Sequence, residues 1–214
     1  VANQTNVLCP NSQNGAVTLE VAGGVTPYAY AWSNGNTSAT VSNLGVGSIV
    51  CTVTDANGCS KNQTVQITAT DDAPPQLDLK NISVSIGSNG QAVVTPDMFD
   101  NNSTDNCGIT SWTVSPTSFD CEQVGSRIVT LTATDQSGNT ATGTAIATVT
   151  DNVAPTLTCP QNLSAAVCAP SVSFNLPQVT DNCPANGTPT LQSGLPSGSV
   201  FPLGATQQTF SFTD

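Results

Sequence analysis

Histidine is absent from the 214 residues, and lysine and arginine together number three. Without histidine there is no imidazole base, no Ser-His or Cys-His nucleophile and no imidazole metal ligand. Three cations cannot make a basic footprint, which excludes nucleic acid as a partner. No run of 18 apolar residues occurs, so no helical membrane span is encoded. A signal-peptide pattern is missing too, so the chain reads as mature, as a fragment, or as both. Glutamate is rarer than the cations, so the polar residues that favour long helices are scarce.

Serine, threonine, asparagine and aspartate fill the space instead, and the formal net charge is −11. Apolar residues alternate with polar ones along short runs. Val17, Leu19 and Val21 do so, then Ile49, Cys51 and Val53, then Val65 and Ile67. Further on, Ile82, Val84 and Ile86 form one face, and Val129, Leu131 and Ala133 another, with Thr130, Thr132 and Thr134 opposite. Period two with one apolar face marks half-buried antiparallel strands. Turn signals fall between the runs, at Gly23-Gly24, Asn34-Gly35, Asn57-Gly58, Asn89-Gly90 and Gly138-Asn139. A single helical turn is expected near Pro96–Asp100. The fold class is all-β.

The chain also repeats itself. TVTDANG at 52–58 is echoed by TATDQSG at 132–138 and begun again by SFTD at 211–214. TDNCG at 104–108 is echoed by TDNCP at 180–184, and DDAPPQLDLKNIS at 71–83 by DNVAPTLTCPQNLS at 151–164. A spacing of 80 residues suits a small β-sandwich, and self-similarity suggests an array of immunoglobulin-like sandwiches. The boundaries divide the chain into 1–70, 71–150 and 151–214. The third segment stops at Asp214, which aligns with Asp135, so it is expected to lack its closing strand. Either that strand belongs to a longer parent chain, or a neighbouring molecule supplies it by strand addition.

Acidic residues are the natural candidates for a site. Asp71, Asp72 and Asp151 stand beside Ala-Pro at the two boundaries, and Asp100 and Asp105 lie in the loop DNNSTDN at 100–106. Calcium takes six to eight oxygen ligands, so it is the expected cofactor if there is one. The loop lacks the glycine and glutamate of an EF-hand. Asp55 and Asp135 each open a D-x-x-G turn and read first as turn caps, with calcium second. Tyr28, Tyr30 and Trp32 alternate on one strand face; core packing is the first reading and a platform for surface glycans the second. No carboxylate pair is placed in an apolar cleft, so an enzyme is not expected.

Eight cysteines in an acidic β-rich chain point to an oxidising, extracellular compartment. Zinc is poorly served, because no C-x₂-C pair exists. Cys107 and Cys121 are the two cysteines of 71–150 and are expected to pair. Cys51 shares the inward face of Ile49 and Val53 and reads as a buried thiol.

Residues 9–59 carry NGAVTLEVAGGVTPYAYAWSNG and SNLGVGSIVCTVTDANGC. They resemble the SprB-type repeat of gliding-motility surface adhesins of Bacteroidetes. Residues 152–214, with APTLTCPQNLSA, VTDNC and SGSVFPLGATQQTFSFTD, resemble the hyalin repeat. Residues 72–150 look like an immunoglobulin-like relative of it. The resemblance implies non-enzymatic, extracellular modules in giant secreted proteins. Its patterns imply a Cys9–Cys59 bond, with Cys9–Cys51 as the alternative, and a Cys168–Cys183 bond. Together these readings give a structural or adhesive stalk of the cell surface. The alternatives are a filament subunit and a carbohydrate-binding module. Expected partners are neighbouring repeats, copies of the same chain, or surface glycans.

Overall fold

The computed structural model describes residues 2–165, 171–184 and 187–213. The first segment holds β1 (Ala2–Thr5), β2 (Gly15–Leu19), β3 (Ala29–Trp32), β4 (Thr40–Leu44), β5 (Gly47–Thr54) and β6 (Ser60–Ile67). They form two three-stranded antiparallel sheets, β1-β2-β4 and β3-β5-β6. Between them lies a core of Val7, Val17, Leu19, Trp32, Val41, Leu44, Ile49, Cys51, Val65 and Ile67. These are the alternating positions of the sequence, and full burial of such side chains is worth about 1.5–3 kcal/mol each.

The second segment holds β7 (Ile82–Ile86), β8 (Gln91–Val93), the single turn α1 (Pro96–Phe99), β9 (Ile109–Ser115), β10 (Ser118–Asp120), β11 (Gly125–Asp135) and β12 (Thr140–Asp151). One sheet has the order β7-β12-β11-β9, with β7 and β12 parallel; β8 pairs with β10. Along β11, Val129, Leu131 and Ala133 are fully buried. The third segment forms β13 (Thr156–Thr158), β14 (Gln178–Thr180), β15 (Thr190–Ser193) and β16 (Thr209–Ser211), paired as β13-β14 and β15-β16.

By compactness the chain groups into two units. One gathers Val1–Lys80, Asp100–Val114 and Thr130–Thr144; the other gathers Asn81–Phe99, Ser115–Val129 and Ala145–Asp214. The segments 1–70, 71–150 and 151–214 divide the chain by repeat; the units divide it by contact, and β11 and β12 contribute residues to both. No helix among the described residues is long and apolar enough to cross a membrane.

Cysteine pairing departs from expectation. Cys9 is bonded to Cys107 and Cys121 to Cys183, with Cα–Cα distances of 5.3 and 5.4 Å. The expected pairs Cys9–Cys59, Cys107–Cys121 and Cys168–Cys183 are therefore corrected. The reason for the first is strand length. Val7 bridges Ala69 just beyond the end of β6, so Cys9 sits at that end. Cys59 sits at the other end, across the eight residues of β6. At about 3.3 Å per residue that is over 20 Å, far beyond the ~7 Å limit for a disulfide. Cys107 and Cys121 fall in different compact units. Cys183 is taken by Cys121, while Cys168 lies outside the described residues. Cys51 is a buried free thiol, as expected, and burial pushes its pKa up; Cys59 and Cys159 are free and exposed.

Candidate functional site

The D-x-x-G turns are built by their first residue. Asp55 Oδ1 accepts from the Asn57 and Cys59 N–H groups at 2.9 Å, and its Oδ2 accepts from the Val25 N–H at 3.1 Å. Asp135 repeats this: Oδ1 accepts from the Ser137 and Asn139 N–H groups at 2.8 Å. Gly58 and Gly138 close the two turns at φ of +84° and +92°, where a side chain would be strained. The turn reading holds for both residues. The Val25, Cys59, Asn57 and Gly58 N–H groups hold Asp55 below the usual carboxylate range. A depressed folded pKa adds stability that is present above the unfolded value near 4 and lost as pH falls through the folded value. Acid unfolding between pH 6 and 2.5 should therefore bring the wild type towards Asp55→Asn. The gap between their melting temperatures should shrink below about pH 4; a constant gap refutes this.

Asp135 differs from Asp55 in its neighbours. One oxygen from each of Asp71, Asp105 and Asp135 lies within 4.8 Å of the others. Asp135 is 2% exposed and is the buried charged side chain among the described residues. Its position follows from β11, where it continues the inward series Val129, Leu131, Ala133. Its Oδ2 accepts from the Asn139 side-chain amide at 2.8 Å. Asp71 Oδ1 accepts from the Asn106 amide at 2.9 Å and from the Ala73 N–H at 3.2 Å, and its Oδ2 accepts from the Ser137 hydroxyl at 2.8 Å. The Asn106 and Ser137 side chains hold Asp71 below the usual carboxylate range, against the opposing effect of burial. Asp105 Oδ1 accepts from the Cys107 N–H at 2.7 Å, whereas its Oδ2 is buried with no hydrogen-bond partner. The Cys9–Cys107 bond holds this loop beside Asp71.

The other expected acids lie elsewhere. Asp72 is exposed. Asp100 is bonded to Ser103 and held below the usual range by Ser103 and then by Lys80, outside the group of three. Asp151 takes part in a second arrangement. Its Oδ1 accepts from the Val153 N–H at 3.1 Å and from the Asn182 amide at 3.2 Å, repeating Asp71 with Ala73 and Asn106. Asp181 stands where Asp105 does, one residue before Asn182 and two before the bonded Cys183. By sequence Asp135 read first as a turn cap with calcium second, and Asp181 was not singled out as a cation candidate. Asp135 is in phase with an apolar strand face, a feature that Asp55 shares.

Within the aromatic stripe, Trp32 and Tyr30 face the core and Tyr28 is half-buried. Trp32 is 4% exposed, and its indole N–H donates to the Ser38 carbonyl at 2.8 Å. Tyr30 packs against the core, and the Tyr28 hydroxyl donates to the Gly23 carbonyl.

With this geometry in hand, known proteins offer a comparison. Residues 1–37 match the SprB repeat. The chain is also 31% identical over 182 residues to hyalin of Strongylocentrotus purpuratus, and 34% over 167 residues to hyalin of Lytechinus variegatus. These alignments take in 78% and 71% of this chain but 15% and 30% of the hyalins. The hyalin similarity thus extends well beyond the 152–214 segment that first suggested it, while the SprB repeat match ends at residue 37. Among solved structures, the fibronectin(III)-like modules of Clostridium thermocellum CbhA align at 10% identity and a TM-score of 0.24, over 71% of this chain and 95% of theirs. Human mucin-like protocadherin EC1-2 aligns at 13% and 0.30, over 71% and 98%. At these scores the sandwich is read from the strands themselves.

Proposed function

We propose that the chain is a non-enzymatic segment of an extracellular stalk, a module that carries tension in a cell-surface or secreted repeat protein. The observation that carries this is the pair of disulfides. They connect residues 98 and 62 positions apart, one after the other along the chain. A pull on the two ends passes through the bonds and bypasses most of the polypeptide. Such bonds persist in oxidising compartments, in keeping with an extracellular place. The similarity to SprB repeats and hyalin supports the same reading, and the charge of −11 keeps neighbouring modules apart.

Single-molecule pulling between the termini tests it. At 3.3–3.6 Å per residue the reduced chain should extend to roughly 700–770 Å, and the oxidised chain to roughly 180–200 Å. An oxidised trace of full contour, or extension without any force peak, would sink the proposal.

A second reading, a filament subunit joined by strand addition, draws on the third segment. Among the described residues its strands pair two by two, and Leu163, Val200 and Leu203 are 62, 71 and 85% exposed. Negative-stain microscopy of the purified chain decides it, since polymers favour the filament and monomers the stalk.

A further inference from the structure

We infer that Asp71, Asp105 and Asp135 bind a hard divalent cation of the calcium class, and that Asp151, Asp181 and Asn182 form a second site of the same design. Three features of the first group point to an ion rather than to a solvated acidic turn. The first is spacing. Three carboxylate oxygens within 4.8 Å of one another are about as far apart as two ligands of one ion at 2.3–2.6 Å. The second is burial. Asp135 is 2% exposed, and an ionised carboxylate buried beside two others is costly unless a cation offsets it. The chain has three cationic side chains. Lys61 lies on β6 opposite Val53, Lys80 acts on Asp100, and the Arg127 guanidinium donates to the Gln123, Glu122 and Val124 carbonyls. The third is the orphan atom. Asp105 Oδ2 is buried without a donor, whereas both carboxylate oxygens of Asp71 have one. A buried acceptor left unpaired costs about 1–3 kcal/mol, and more when charged, which a coordinated cation removes.

The second group repeats the third feature, the orphan atoms, with two carboxylates and an amide. Asp151 Oδ2, Asp181 Oδ2 and Asn182 Oδ1 are all buried without hydrogen-bond partners. Asp181 Oδ1 accepts from the Asn182 N–H at 2.8 Å, and the Asn182 amide donates to Asp151 Oδ1 and to the Gly87 carbonyl, so both carboxylates present one free oxygen. The residue that repeats Asp135 is Asp214, which lies outside the described residues. Donors in both groups are oxygens, and Cys107 and Cys183 are tied up as disulfides. That all-oxygen set suits calcium better than zinc or copper, which favour nitrogen and sulfur ligands.

The test is calorimetric titration of the chelator-treated, oxidised full chain with Ca²⁺, repeated with Mg²⁺, alongside melting curves. Asp105→Asn and Asp181→Asn each keep the Oδ1 acceptor and remove the charge. The wild type should bind two Ca²⁺, each single variant one and the double variant none. With the 0.1–1 mM affinities usual for extracellular modules, 10 mM Ca²⁺ should raise the wild-type melting temperature by roughly 3–11 °C per site. In chelator the order reverses: Asp105→Asn should melt at or above the wild type, because one like charge is gone. A merely structural Asp105 would give a lower melting point under both conditions. No binding up to 10 mM, an unchanged stoichiometry in the variants, or equal shifts with Mg²⁺ overturns the inference. A stoichiometry of one that Asp105→Asn abolishes and Asp181→Asn spares overturns the second site.

Discussion

Trypsin acting on the unreduced, alkylated chain is expected to release one free peptide, residues 62–80, and to leave the other three fragments covalently joined. The cleavage points are Lys61, Lys80 and Arg127, which yield 1–61, 62–80, 81–127 and 128–214. Cys9–Cys107 ties the first fragment to the third, and Cys121–Cys183 ties the third to the fourth. Bonds confined to each repeat, as Cys9–Cys59, Cys107–Cys121 and Cys168–Cys183, would let all four separate. One mass spectrum under denaturing conditions distinguishes the two outcomes. The energetic consequence is large. In the chain-entropy model, closing loops of these lengths stabilises the fold by about 4.7 and 4.3 kcal/mol. Cys107→Ser should therefore lower the denaturant midpoint strongly in oxidising buffer and hardly at all in reductant. Equal midpoints for variant and wild type under oxidising conditions would mean that the bond contributes nothing.

Trp32→Ala should be among the most destabilising single changes in the first segment. The ring is 4% exposed and packs in the core with Val17, Ile49 and Cys51. Truncating a buried aromatic costs about 3–5 kcal/mol, or roughly 6–20 °C in melting temperature for a chain of this size. Trp32→Phe should cost less, because most of the apolar volume stays. The remaining loss comes from the Ser38 carbonyl, which loses its indole donor. The pair of variants also separates core from platform. A glycan-binding tryptophan on an exposed face would leave stability within about 2 °C after truncation, since surface changes are usually within ±0.5 kcal/mol. Melting curves of the two variants give the answer.

Much of the fold was legible because strand geometry is local. The inward series Val129, Leu131, Ala133 and the buried thiol of Cys51 follow from a period of two, and Pro96–Phe99 is the helical turn where one was expected. The two D-x-x-G turns follow from short side chains that bond their own backbone, which needs no distant partner. The cation candidates were only half legible. Asp71, Asp105 and Asp151 stood out beside prolines and repeated motifs, while Asp135 read as a turn cap. It is a turn cap, with its carboxylate facing two others as well. Asp55 opens the same turn in the same phase, so the local pattern cannot tell the two apart. Asp100 met every compositional criterion and was drawn instead to Ser103 and Lys80.

The sequence by itself determined the all-β class, the faces of the strands, the turns and the repeat of one plan along the chain. Each of these depends on residues a few positions apart. Only the tertiary structure decided which cysteines bond and which acids meet. Period two says which way a side chain points, but not which loops arrive together at the end of a sheet. Cys9 and Cys59 belong to one repeat yet sit at opposite ends of β6. Cys9 and Cys107 belong to different repeats yet stand 5.3 Å apart at Cα. Strand length and loop placement set those distances, and a covalent bond or a shared ion answers to distance alone.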